Sequence, residues 1–147
     1  MTRTLVTAIV STASLGAESG ALDAAIDLEL GYGGWTHELQ LPEIYAAHAK
    51  VTRDRGLAVR LNVQDSDGTL IVTFASTLTG RALHAANMAK AQRKPCKHLA
   101  LPARGQTRIR DAVRSALLDW IDERHISVLH VVGTGEDSEP GIGQATR

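Results

Sequence analysis

TLVTAIVSTASLGAESGALDAAID, residues 4–27, passes from an apolar β-branched run through small residues into an alanine-rich helical pattern. It reads as a strand over Leu5 to Val10, a turn over Ser11 to Leu15 and a helix over Gly16 to Leu30. Within the helix Ala17, Ala21, Leu22, Ala25, Ile26 and Leu28 fall largely on one stripe, Glu18, Asp23, Asp27 and Glu29 take the other side, and Gly31 stops it. Such a unit points the unpaired N–H groups of the helix start, near Gly16 to Glu18, over the end of the strand. Phosphate-bearing ligands bind in that position.

The rest of the chain repeats the unit. Gly31 to Trp35 predicts a short second strand whose Gly33 and Gly34 leave bare backbone for close approach. Pro42 is placed to start a helix through Glu43 to Lys50, and a further helical pattern covers Leu57 to Val63. Asp65-Ser66-Asp67-Gly68 then makes a turn before the β-branched strand Thr69 to Phe74. Arg81 to Gln92 and Gln106 to Arg124 read as helices, Cys96 to Leu101 and Ser127 to Val132 as strands, and Gly141 to Thr146 as a closing helical turn. This alternation predicts one α/β domain over residues 1–147 in three αβα layers, with a mainly parallel sheet of about five strands. Ser11 to Gly16, Gly33 to His37, Ala75 to Arg81 and Gly133 to Pro140 would then meet at the sheet's C-terminal edge, where a ligand crevice belongs.

Composition narrows the partners. With 147 residues the chain can bury a full core, and with aromatics at 3% that core is built from Ala, Leu, Ile and Val. Sixteen basic residues balance sixteen acidic ones, so no overall field draws nucleic acid or an anionic membrane. The basic residues between Lys90 and Arg114, with Asp111 as the one acid among them, read first as a solvated surface. No run approaches the roughly 20 apolar residues of a membrane span, and the lone Cys96 excludes an internal disulfide, so a cytoplasmic protein is expected.

Several constellations fail on spacing. STASLG lacks the glycines of a dinucleotide fingerprint and no G-K-[ST] follows it, although Ser11, Thr12 and Ser14 offer hydroxyls to an anion; helix capping by Ser14 explains the same residues equally well. If Asp65 and Asp67 held the third and fifth positions of a calcium loop, Phe74 would stand where the twelfth position needs a carboxylate. Asp67 therefore reads as a turn residue bonding local N–H groups, while Asn62 and Asp65 are left to face the crevice. None of His37, His48, His84, His98, His125 and His130 pairs at metal-ligand spacing, and no serine sits in a nucleophile elbow.

Gly33-Gly34-Trp35, Asn62-Val63-Gln64-Asp65-Ser66-Asp67-Gly68-Thr69-Leu70-Ile71, Lys94-Pro95 and Pro140-Gly141-Ile142 together resemble the molybdenum carrier protein family over nearly the whole chain. The N-V-x-D-S-D-x-T-L-I run is the specific element. The resemblance implies a Rossmann-like fold related to the lysine-decarboxylase-like phosphoribohydrolases, binding of the molybdenum cofactor without transforming it, and a homo-oligomer. Leu39, Leu41 and Ile44 are candidate subunit-interface residues. Where the family has S-G-G-Q-T-G-V-D-R in its first loop, this chain has Ser11-Thr12-Ala13-Ser14-Leu15-Gly16-Ala17-Glu18-Ser19. Thr12 and Ala13 add Cβ atoms where backbone would approach phosphate, and Arg81 is a candidate to restore the charge lost at Ser19.

The expected site therefore comprises Ser11, Ser14, Gly16, Gly34, Trp35, Asn62, Asp65, Gly80 and Arg81, holding a small anionic or nucleotide-like ligand, with the molybdenum cofactor as the one the resemblance implies. No catalytic residue is assigned, because the helix from Arg81 to Gln92 lacks the glutamate that the related hydrolases use. Two other readings stand beside this one. They are a nucleotide-processing hydrolase using Asp65 as acid or base, and a degenerate paralogue with an oligomeric or structural role.

Overall fold

The computed structural model describes residues 5–12, 17–36, 49–52, 54–74, 78, 80–101, 107–133 and 142. Six strands among them form one sheet: β1 (Ala8–Val10), β2 (Gly31–Thr36), β3 (Ala49–Val51), β4 (Gly68–Thr73), β5 (Cys96–Ala100) and β6 (Val128–Gly133). All pairings are parallel, in the order β3-β2-β1-β6-β4-β5. Helices α1 (Ala17–Asp27), α2 (Arg55–Asp65), α3 (Gly80–Ala91) and α4 (Thr107–Glu123) lie between strands in the chain. The α/β class with a parallel sheet stands as expected, with one strand more than about five. That strand is β3. Ala49 and Lys50, expected to end a helix from Glu43, instead pair with Gly34 and Trp35 of β2, while residues 43–48 of that helix lie outside the described residues. No described helix is long and apolar enough to cross a membrane.

The strand order decides where the sheet's C-terminal edge can open. From β1 the chain steps outward through β2 to β3, then returns through α2 to β4 on the far side, and β6 later fills the gap between β1 and β4. Successive strands thus depart in opposite directions from the sheet's middle, the topology that in open parallel sheets leaves a crevice outside the C-terminal strand ends.

Alternating side chains divide the core between the two faces. Leu70 and Val72 of β4 and Leu129 and Val131 of β6 join Leu22 and Ala25 of α1 and Ile121 of α4 on one side. Val132 packs with Val59 and Val63 of α2 and Ala85 and Ala89 of α3 on the other. Because both faces are covered, β4 is buried along its whole length, which explains its unbroken run of β-branched and apolar residues. Alanines let the helices approach closely. At Gly133 even a Cβ would meet the Val72 carbonyl and the Ala17 side chain, so the start of α1 rests directly on the end of β6.

His130 is the polar exception in this interior. It sits fully buried on β6, bonded through Nδ1 to the Thr69 hydroxyl at 3.1 Å, and its Nε2 has no hydrogen-bond partner among the described residues. Burial disfavours the charged imidazolium and lowers its pKa from 6.5 to about 3. The unfolded chain therefore binds the extra proton first as pH falls below 6.5, and the stabilisation, complete above that value, is lost progressively toward about 3. Urea unfolding is expected to show this group costing about 2 kcal/mol between about pH 7 and about pH 5. In His130→Asn that increment should vanish from the pH profile; an identical fall in the variant would assign the acid sensitivity to other groups.

Candidate functional site

An open cleft of about 420 Å³ lies beside the end of β1 and the C-terminal half of β2, lined by Val10, Gly34, Trp35, Lys50, Asn62 and Asp65. Its size is that of a small-molecule site. Val10 ends β1, Gly34 and Trp35 belong to β2, Lys50 is the middle residue of β3, and Asn62 and Asp65 come from the last turn of α2.

Asn62 organises the cleft. Its side chain is fully buried, its Oδ1 accepts the Trp35 backbone N–H at 2.7 Å, and its Nδ2 donates to the Trp35 carbonyl at 2.9 Å. The primary amide thus pairs with the strand as another backbone would, and joins α2 to β2. Asp65, one turn further on, accepts the Trp35 indole N–H at 2.9 Å on Oδ2. Lys50, the register partner of Trp35, holds its ammonium 5.4 Å from the indole centroid, within cation–π range. Backbone and ring of one tryptophan are consequently fixed by separate groups.

Gly34 permits this approach. It adopts φ +122, and a Cβ there would stand 2.7 Å from the Ser11 carbonyl oxygen and 2.8 Å from Asn62 Oδ1. The first contact would push β2 away from the chain just after β1, the second away from α2.

Helix α2 is held at both ends so that its last turn faces the strand. Asp54 caps the start by accepting the Gly56 N–H at 2.8 Å. At the other end the Lys94 ammonium donates to the carbonyls of Val63, at 3.0 Å, and Ser66, at 2.6 Å, as well as to Gln64. A cation there satisfies the orphan carbonyls and complements the helix dipole. Asp67 departs from the expected local turn bond: its Oδ2 accepts the N–H groups of Ser127, at 3.0 Å, and Val128, at 2.9 Å, pinning the start of β6.

Of the expected site residues, Gly34, Trp35, Asn62 and Asp65 meet in the cleft. Ser11 is buried beneath it, its hydroxyl directed to the Glu18 carbonyl at 3.4 Å. Thr12, also buried, donates its hydroxyl to the Glu18 carboxylate at 2.8 Å, and its carbonyl accepts the Thr36 hydroxyl at 2.6 Å. Two of the three hydroxyls expected to face an anion thus have α1's own acid residue as a partner. Gly80 is exposed at the start of α3 with φ +54 and is not among the lining residues. Ser14, Gly16 and the Arg81 side chain lie outside the described residues, as do Leu39, Leu41 and Ile44. Lys50 and Val10 were missed by sequence reasoning; a lysine in a three-residue strand carries no periodic signal, whereas Val10, as the last residue of the first strand, was open to prediction.

Residues 9–147 match the circularly permutated YpsA SLOG family. The crystal structure of a putative molybdenum carrier protein from Syntrophus aciditrophicus SB is similar at TM-score 0.87 and 32% sequence identity, over 99% of this chain and 92% of that one. No curated protein matches.

Asn62→Ala should lower unfolding stability by about 2–4 kcal/mol, because it leaves the Trp35 N–H and carbonyl without their partner. Gln64→Ala, on the exposed side of the same turn, should change it by less than about 0.5 kcal/mol. Equal effects in chemical denaturation would contradict the clamp.

Proposed function

The chain belongs to the circularly permutated YpsA SLOG family, and on that basis we propose that it carries a small anionic, nucleotide-like molecule in the cleft over Trp35 without transforming it. The observation that carries this reading is the arrangement of Trp35, Lys50 and Asp65 around one cavity of about 420 Å³. A fixed indole offers a stacking surface for a flat ring. The Lys50 ammonium, exposed and on a flexible stem, supplies the charge for a phosphate or other anionic end.

The molybdenum cofactor fits this donor set as cargo. The pyrimidinone ring of its pterin is flat and its phosphate anionic, and these features suit the indole and the ammonium. The name of the Syntrophus protein supports the same choice. Carriage without turnover is supported by the lining, in which Asp65 is the single carboxylate and no histidine accompanies it among the described residues. Glycosidic hydrolysis normally uses a pair of acid and base groups. Among the described residues, no group of three His, Cys, Asp or Glu is placed to hold a metal ion directly, which favours a cargo held by its organic part.

A thermal-shift panel of molybdate, the molybdenum cofactor and nucleoside monophosphates tests the proposal. A true ligand at a hundredfold its Kd should stabilise the protein by about 2.7 kcal/mol and be recovered chemically intact by mass spectrometry. Lys50→Ala should weaken binding of the phosphate-bearing ligand by roughly tenfold, as loss of one charge-assisted contact does. Absence of any stabilisation would overturn the carrier reading in favour of a structural role. Recovery of a free base, lost in Asp65→Asn, would replace it with a hydrolase.

A further inference from the structure

The cleft's polar groups are not equally available to a guest, and their accounting selects the ligand's chemistry. Asn62 has both its carbonyl and its amino group committed to the Trp35 backbone, and the Trp35 indole N–H is committed to Asp65. Val10 and Gly34 bring no polar side chain. Two charged side chains remain among the described lining residues, a donor at Lys50 and an acceptor at Asp65. Asp65 is exposed, and only its Oδ2 is engaged; its Oδ1 has no hydrogen bond within the described residues.

Resting on the carrier reading above, we infer that Asp65 is a specificity-determining residue that accepts adjacent N–H groups from the edge of a heterocycle stacked on Trp35, of the 2-amino-4-oxopyrimidine class found in guanine and pterins, while Lys50 pairs with the ligand's anionic end. An ionised carboxylate accepts hydrogen bonds and cannot donate them. A ring edge presenting an amino group beside a ring N–H satisfies it. The adenine edge pairs an amino group with a bare ring nitrogen, and that lone pair faces the carboxylate oxygens. The indole N–H ties Asp65 Oδ2 at 2.9 Å, so the carboxylate stands at the edge of the stacking surface with Oδ1 left for a guest. Lys50 leaves the indole face as the ring arrives, its four-carbon stem carrying the ammonium toward the anion. Rejection then arises from an unmet acceptor as well as from a poorer fit.

The test uses GMP, IMP and AMP as probes and the quenching of Trp35 fluorescence as readout. The chain has two tryptophans, so a Trp120→Phe background isolates the signal. GMP is expected to bind at least about tenfold more tightly than AMP, with IMP, which keeps the ring N–H but lacks the amino group, between them. Asp65→Asn, which can still accept the indole N–H, should bring the three within about threefold of one another while Lys50→Ala weakens all of them together. Equal binding of GMP and AMP by the wild-type protein would overturn the edge-reading role and leave the carrier reading in place. A guanine preference unchanged in Asp65→Asn would overturn it too, assigning selection to another group. Failure of all three nucleotides to quench Trp35 or compete with the molybdenum cofactor would remove the inference, and failure of the cofactor as well would remove the carrier reading beneath it.

Discussion

One side-chain amide at the end of a helix sets the shape of this protein's cleft. Asn62, itself fully buried, takes both backbone hydrogen-bonding groups of Trp35, at 2.7 and 2.9 Å. The end of β2 pairs with β3 on one side; on the other, past the last residue of β1, it is bound to α2. The consequence reaches the ring. With its backbone fixed, Trp35 needs only the Asp65 carboxylate to hold the indole, and the tryptophan becomes a wall of the cleft. Gly34 is the condition for all of it, because any Cβ there would occupy the space in which Ser11, Asn62 and β2 converge.

The family resemblance acquires a physical content from this geometry. The N-V-x-D-S-D run is a set of separate attachments issuing from one helix end: Asn62 to β2, Asp65 to the indole, Asp67 to β6. Lys94, from a distant lysine-proline pair, neutralises the carbonyls that the same helix end leaves open. These residues build the frame. The first loop is different, since Ser11 and Thr12 turn their hydroxyls toward Glu18 in the first turn of α1, and Thr12 stands where the resembling family has glycine. An internal carboxylate thus engages the Thr12 hydroxyl at 2.8 Å.

Much of the architecture was legible in the residues. The runs at 69–73 and 128–132 are apolar and β-branched because their strands are covered on both faces, and the stripe in residues 17–27 marks a helix lying on the sheet. The edge strand β3 was not legible, since three residues cannot show a period and Pro42 invites a helix in their place. The site divides in the same way. Gly34, Trp35, Asn62 and Asp65 follow from motif and loop position, but Lys50 enters through strand register, and the work of Lys94 and Asp67 is done on backbone groups roughly 30 and 60 residues away, as the separations of their hydrogen bonds record. Bonds to backbone leave no mark on the identity of the residue that receives them.

The central claim, that Asn62 holds Trp35 in place and thereby forms the cleft, is tested most directly by residue-resolved amide hydrogen exchange. The Trp35 N–H should be protected in the wild-type protein to a degree comparable with Ile71 and Val131 in the middle of the sheet, although it lies at the end of a strand. In Asn62→Ala that protection should fall selectively, with Ile71 and Val131 retaining theirs relative to global stability. An unprotected Trp35 amide in the wild type, or one whose protection survives the substitution, would contradict the account.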